Sequence, residues 1–438
     1  MRQIDISCAI ATAARLLIAF FAGAPTALAA GAATDGPITW VAAYTGEAAG
    51  NVSGGVRQGA DYAGQLVLGA DIDLGSAAAL DGTTLHVDVV DRHGRNLSKD
   101  DLGGSTSVQE TYGAENIRLA NLTIAQSLLG GAVVLEVGRT VANASFLDSP
   151  LCQYFQTNSA CGTPVFAPVS SGFTMWPVAT WGGHAKIWFT PRVYVQGGGY
   201  EVNPRHGRNG DDGLNWSTAG ATGVVAPYAI GYTTTFANDR LPRRYELGGF
   251  YDDVDYADPL RDARGNLAAV TDQPYATHHG RSGAFVRFEQ MVYRPDSASE
   301  RGLTLFGVAM AQASGQSVED HFLEFGLVQR GVLPRRDKDT IGFVVNEQVY
   351  NENALKNLRL IRAAAGGVGK LARDQIMMEL NYGAQVTPVI HLQPNLQYII
   401  HPDQFGAPAR SPATPNAFVL GLRFDVDLAA LGRGSGRP

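Results

Sequence analysis

The sequence predicts an all-β fold, a transmembrane antiparallel β-barrel of sixteen strands with long extracellular loops. Three observations predict it. Segments that alternate at a period of two recur along the chain. Glycine is abundant, 52 residues of 438, which suits many turns and close strand packing, and charged residues make up only 17%. Beyond the first residues, no stretch approaches the ~18 consecutive apolar residues that a spanning helix needs, so a membrane crossing falls to strands.

The chain opens with a secretory signal over residues 1–29. Arg2 and Arg15 supply positive charge, Leu16 to Ala24 is a short apolar run, and Ala27-Leu28-Ala29 is a small-residue cleavage site. A small-residue linker, residues 30–37, follows, then the barrel over 38–428 and a tail over 429–438 that is read as disordered. Cys8 lies in the leader, leaving Cys152 and Cys161 in the mature chain. Passage through an oxidising compartment permits one disulfide between them, worth about 2.5 to 3 kcal/mol on the chain-entropy model; two buried free thiols are the alternative.

Each strand shows the same two faces. Leu66, Leu68, Ala70, Ile72 and Leu74 alternate with Gln65, Gly69, Asp71 and Asp73, and Leu85, Val87 and Val89 alternate with Thr84, His86 and Asp88. Val133, Leu135 and Val137 flank Glu136. The segment from Ala185 to Gln196 reads as one strand, with Ala185, Ile187, Phe189, Pro191, Val193 and Val195 on an apolar face and Lys186, Trp188, Thr190, Arg192, Tyr194 and Gln196 on the other. Later, Val286, Phe288 and Val292 flank Arg287 and Glu289. The last third holds Ile376 to Val386, Ile390 to Ile400 and Phe418 to Leu428, with a tight turn at Thr387 and Pro388. Tyr251 to Ser282 reads as a long excursion at the opposite rim, and Asn351 to Ala372 as a loop with a short helix. About fifteen segments of roughly 9 to 13 residues are long enough to cross a tilted bilayer, and single-chain bacterial barrels favour an even number, hence sixteen. A soluble sandwich would alternate likewise. Its strands would seldom carry so many long polar side chains in register on the second face.

A formal charge of −7, with no basic stripe, argues against nucleic acid. No nucleophile elbow, P-loop or H-E-x-x-H motif proposes an enzyme. His278-His279, His206, Asp211 and Asp212 fit no standard metal spacing, and no cofactor is expected. Charge on a lipid face is costly, so strand charges are expected to point inward. The expected lumen-facing set is Lys186, Trp188 and Arg192 on one strand, with Glu201 and Asn203 at its far end, then Arg118 and Arg139 on neighbouring strands, and Arg287 with Glu289 on a later one. An interfacial position for Trp188 and a rim position for Arg192 are the alternatives.

From Asn116 to Leu428 the chain resembles the carbohydrate-selective porin family, the OprB type. The phrases that carry the resemblance are Trp176-Pro177-Val178-Ala179-Thr180-Trp181-Gly182-Gly183, Tyr200-Glu201-Val202-Asn203-Pro204, Glu246-Leu247-Gly248-Gly249-Phe250-Tyr251-Asp252 and Glu289-Gln290-Met291-Val292-Tyr293-Arg294-Pro295. Arg301 to Gly307, Leu396 to Ile400 and Val419 to Arg423 complete the series in family order. The segment before Asn116 matches poorly. The resemblance implies a bacterial outer-membrane barrel whose narrowed pore passes mono- and oligosaccharides by diffusion. Its partners are then sugars and outer-membrane lipid; whether three barrels associate as a homotrimer stays open from the sequence. A general porin, a barrel enzyme and a secreted glycan-binding β protein are the competing readings.

Overall fold

The computed structural model describes residues 32–160, 164–208, 210–368, 370–407, 410 and 412–431. The signal segment and Cys161 lie outside the described residues. Strands dominate: β1 (Ala32–Asp35), β2 (Ile38–Ser53), β3 (Gly59–Asp73), β4 (Thr83–Gly94), β5 (Asn116–Leu128), β6 (Val133–Thr140), β7 (Thr180–Trp188), β8 (Val193–Val202) and β9 (Gly223–Thr233) form the first half. The second comprises β10 (Arg243–Asp262), β11 (Tyr275–Tyr293), β12 (Gly302–Ser314), β13 (Glu319–Arg330), β14 (Thr340–Tyr350), β15 (Asp374–Thr387), β16 (Ile390–Ile400) and β17 (Ala417–Asp427).

From β2 onward each strand pairs antiparallel with the next, and β17 returns to pair with β2 through Arg423↔Glu47. The ring therefore closes on sixteen strands. Among the described residues every strand of the ring is paired on both sides, as hydrocarbon requires. β1 is extra: it occupies the stretch read as a linker and pairs with the start of β2.

The period-two pattern sets the faces. On β16, Gln393, Asn395 and Gln397 are buried inside while Leu396 and Tyr398 are exposed outside; on β17, Arg423 points in and Leu420 and Leu422 point out. The segment Ala185–Gln196 requires correction, because it divides into β7 and β8. Pro191 has no N–H to give a ladder, and the Thr190 hydroxyl oxygen accepts from the backbone N–H of Arg192 and Val193 at 3.2 and 3.0 Å, closing a turn. The phase survives the turn, so Trp188 and Tyr194 face each other as register partners. Tyr251 to Ser282 is also mostly strand, since the β10–β11 ladder continues from Tyr251↔Ser282 to Asp262↔Tyr275. The predicted helix is present as Glu352–Ala364, started by the Asn351 side chain accepting from Asn353 N–H. In the tail, Leu428–Leu431 forms a helical turn instead of disorder; residues 432–438 lie outside the described residues.

One rim carries short turns, at residues 129–132, 189–192 and 388–389; the other carries long segments, at 95–115, 141–179, 203–222, 351–373 and 401–416. Segment 141–179 folds inward. The inner wall of β8–β13 is apolar in part, with Tyr200, Val225, Phe250, Phe285, Val308, Met310 and Phe322, and Phe146, Phe166 and Phe173 of the segment pack on it. Burying each large apolar side chain stabilises by about 1.5–3 kcal/mol, a sufficient reason for the segment to lie in the barrel and not above it.

Candidate functional site

The inward segment meets the wall in a charged junction. Arg244 on β10 donates from Nη2 to Asp148 Oδ1 at 2.8 Å and from Nη1 to the Asp148 carbonyl at 3.1 Å. Arg287 on β11 also donates to that carbonyl, and it pairs with Glu289 at 2.7 Å and Glu246 at 3.1 Å. Ser149 donates its hydroxyl to Glu289 at 2.7 Å. Beside this junction Lys186 Nζ stands 4.0 Å from the Tyr194 ring centroid and 5.1 Å from that of Trp188, and Tyr194 donates its hydroxyl to Glu246.

Four of the nine expected residues, Lys186, Trp188, Arg287 and Glu289, thus come together. Three further wall residues, Tyr194, Arg244 and Glu246, complete the cluster and lie outside the expected set. Their signal was present: Arg244 and Glu246 alternate with the outward Tyr245 and Leu247. Asp148 left no such trace, because a loop has no face periodicity.

The other expected residues lie elsewhere. Arg118 faces inward, buried, and donates to the His206 carbonyl at 3.1 Å. Arg139 is a correction. It is the register partner of Leu122 and Trp181, on the outward face that Val133, Leu135 and Val137 already mark, and it is buried there. It donates to the Ala179 carbonyl at 2.6 Å and stands 3.9 Å from Glu201. Glu201 belongs to the same face and accepts from Asn203 Nδ2 at 2.9 Å, so these three brace the wall where β6 stops. Arg192 sits exposed in the β7–β8 turn and donates to the Asn238 carbonyl at 3.3 Å, a rim position.

A second junction holds both inward segments. Arg423 Nη1 reaches Glu47 at 3.1 Å, Glu110 of segment 95–115 at 3.0 Å and the Phe155 carbonyl of segment 141–179 at 3.1 Å. Glu379 accepts from the backbone N–H groups of Gln156 and Thr157, the shortest at 2.7 Å. Across the lumen, the inner face of β3–β6 presents Asp71 with His86 at 2.5 Å, Asp88 with Asn121 at 3.2 Å and Glu136 with Thr123 at 2.7 Å. The histidines considered for a metal fall in separate places: His206 lies 3.3 Å from Asp211, and His278 lies 2.8 Å from Asp258 on the β10–β11 hairpin.

The family model described as "Carbohydrate-selective porin, OprB family" matches residues 57–428. This chain belongs to the OprB family of carbohydrate-selective porins. Among curated relatives, Porin B of Pseudomonas aeruginosa is 30% identical over 398 residues, covering 87% of this chain and 86% of that protein. The putative porin QuiX of Acinetobacter baylyi is 26% identical over 383 residues, with 83% and 84% covered. The high-pH structure of Pseudomonas putida OprB superposes with a TM-score of 0.81 at 30% identity, covering 89% of this chain and 94% of that one. The OprB match begins at residue 57, so β3 and β4, which precede Asn116, belong to the family fold as well. As an OprB-family porin the chain resides in the outer membrane of Gram-negative bacteria.

Proposed function

We propose that solutes are selected where segment 141–179 docks on β7, β8, β10 and β11, and that those passed are small sugars moving down their gradient without chemical change. One observation carries this reading: Lys186, Trp188 and Tyr194 place aromatic rings beside the fixed charges of Arg244, Glu246, Arg287 and Glu289. A pyranose offers apolar C–H faces to a ring and hydroxyls to charged donors and acceptors. Because those charges are already paired with one another, a neutral polyol exchanges hydrogen bonds with them more readily than an ion displaces a partner, and weak exchange permits exit. Arg118 adds an inward donor nearer the outer mouth, while Arg139, Glu201 and Asn203 hold the wall and Arg192 the inner rim.

Liposome swelling with monosaccharides, disaccharides and amino acids of similar size tests the reading. Faster swelling with monosaccharides is expected. Equal rates for sugars and amino acids would make this a general porin.

Three further assignments belong to the proposal: removal of residues 1–29 on export, a Cys152–Cys161 disulfide within segment 141–179, and association of the barrel as a homotrimer. Burial of Cys152 suits the second. Thiol labelling of unreduced protein checks it, since two reactive cysteines would exclude the bridge.

A further inference from the structure

Extracellular segments converge over the upper ends of β13 and β14. Asp403 of segment 401–416 accepts the backbone N–H and the hydroxyl of Ser105, in segment 95–115, at 2.7 and 2.9 Å on Oδ2, and the N–H of Phe405 at 3.1 Å on Oδ1. Its own N–H donates to Gln375 Oε1 at 2.7 Å, which seats Asp403 over the buried register pair Gln348 and Gln375. Beside it Gln404 accepts from Arg362 of the helix Glu352–Ala364 at 3.1 Å. Two residues beyond Gln348 on β14 stands Tyr350, whose ring meets Phe405 edge-on at 4.9 Å and whose register partner on β13 is Glu319.

Glu319 faces inward only because the ladder slips. Leu323 and Phe325 are exposed outside and Phe322 is buried inside, so an unbroken strand would put Glu319 outside with the first two. A register shift between Glu319 and His321 turns it round, the re-aiming that a β-bulge performs. So placed, Glu319 is 3% exposed, Tyr350 4% and Asp403 3%. Glu319 Oε2 and the Tyr350 hydroxyl have no hydrogen-bond partner among the described residues, although the two side chains leave neighbouring positions of one face. Asp403 acts electrostatically on both. Among the described residues no cationic side chain pairs with either carboxylate, and Arg362 is committed to Gln404 and to the Val368 and Arg410 carbonyls.

We propose that Glu319, Asp403 and Tyr350 form a calcium site that ties the extracellular segments to the wall. A buried carboxylate is costly unless it is paired, and two near one another without a cation each disfavour the other's charged form. Burial raises the Asp403 carboxyl above its ordinary range, against the pull of the Ser105 and Phe405 N–H groups. A divalent cation cancels both charges and gives the two unpartnered groups a common neighbour. Calcium suits the set, because it takes about six to eight oxygens in flexible geometry, whereas magnesium demands a near-regular octahedron that ligands drawn from a strand and a loop are not built to hold. Glu319 and Asp403 supply the charged ligands, and the Tyr350 hydroxyl meets the ion or a water on it. Filling the site fixes segments 95–115 and 401–416 and, through Gln404, the helix at the outer mouth. The inference does not rest on what the pore selects.

The test uses the whole barrel, folded in detergent free of lipopolysaccharide, and two probes: calcium chloride, and terbium, which takes calcium sites and emits when excited through a nearby tyrosine. Saturable terbium emission is expected, displaced by calcium with the affinity of extracellular sites, ~10⁻⁴–10⁻³ M. Glu319→Gln should abolish it and Tyr350→Phe, which removes only a hydroxyl, should lower it several-fold. Glu347→Gln, on the outward face of β14 opposite Leu323, should leave it unchanged. Calcium should also raise the temperature at which the folded barrel converts to its unfolded gel form, in the unsubstituted and Glu347→Gln proteins but not in Glu319→Gln. Emission and a thermal shift that survive Glu319→Gln would put the ion on exposed carboxylates and overturn the proposal. No response in the unsubstituted barrel would overturn it too, leaving the carboxyls neutralised by protons. If Glu319→Gln does not fold, Tyr350→Phe decides, and undiminished emission there overturns the site.

Discussion

Arg244 grips Asp148 twice, through the carboxylate at 2.8 Å and through the carbonyl at 3.1 Å, so that a wall strand fixes both the side chain and the main chain of one residue in the inward segment. Arg287 donates to the same carbonyl. Two arginines on paired strands thus set where segment 141–179 stops, and the width of the passage beside Lys186 and Trp188 becomes a property of charge pairing. Apolar packing brings the segment into the barrel; these contacts decide its resting position.

Arg244→Ala is therefore expected to loosen the segment without unfolding the barrel. Losing one partner of a buried ion pair costs about 3–5 kcal/mol, and the low end applies because the two side chains are 15% and 23% exposed. Single-channel recordings in planar bilayers should show larger, noisier conductance, and swelling should discriminate less between mono- and disaccharides. Conductance as quiet as that of the unsubstituted channel would show that packing alone holds the segment.

Acid should have the same effect at a defined point. Burial on its own would raise the Asp148 carboxyl, but Arg244 and then Arg287 outweigh it and hold the group below its ordinary range. A depressed folded pKa means that the contribution is complete above the unfolded value, about 3.9, and is lost as pH falls through the lower folded value. Open-channel noise should thus stay level from neutrality to about pH 4 and rise only in stronger acid. Asp148→Asn should be noisy throughout and show no acid step; a step near neutrality in the unsubstituted channel would contradict the assignment.

Most of the barrel was legible because a strand exposes its two faces at a fixed period. Phase alone distinguishes Gln393, Asn395 and Gln397 from Leu396 and Tyr398. It also placed Arg139 outward with Val133, Leu135 and Val137, against the expectation that a charge must turn inward; a buried niche beside Ala179 and Glu201 removes the lipid cost on which that expectation rested. Pattern failed where it does not reach. Phase runs unbroken through Thr190 and Pro191, which hid a turn, and Asp148 and Phe155 belong to a segment whose contacts come from distant strands.

Trp188 gives a test of sugar contact. If pyranose faces pass over this ring, Trp188→Ala should weaken sugar block of the ion current by roughly 2- to 10-fold, the loss expected from about 0.5–1.5 kcal/mol of ring contact. Trp188→Phe, which keeps an apolar face, should recover much of it. A purely structural role would predict altered conductance without sugar in both variants, and that outcome would remove Trp188 from the site.

Arg423 separates stability from selection. Its guanidinium is 2% exposed and serves Glu47, Glu110 and the Phe155 carbonyl together. Arg423→Leu would leave Glu47 buried without its cation, a loss of about 3–5 kcal/mol, and would free both inward segments. The temperature at which the folded barrel converts to its slower, unfolded gel form should fall. Arg423→Lys should restore charge but not the branched geometry, and so recover only part of the difference. The double variant Glu47→Leu with Arg423→Leu should unfold later than Arg423→Leu alone, because it removes the stranded charge. If the double variant unfolds no later, the penalty lies in the lost contacts to Glu110 and Phe155, and the junction acts as a tether more than as an ion pair.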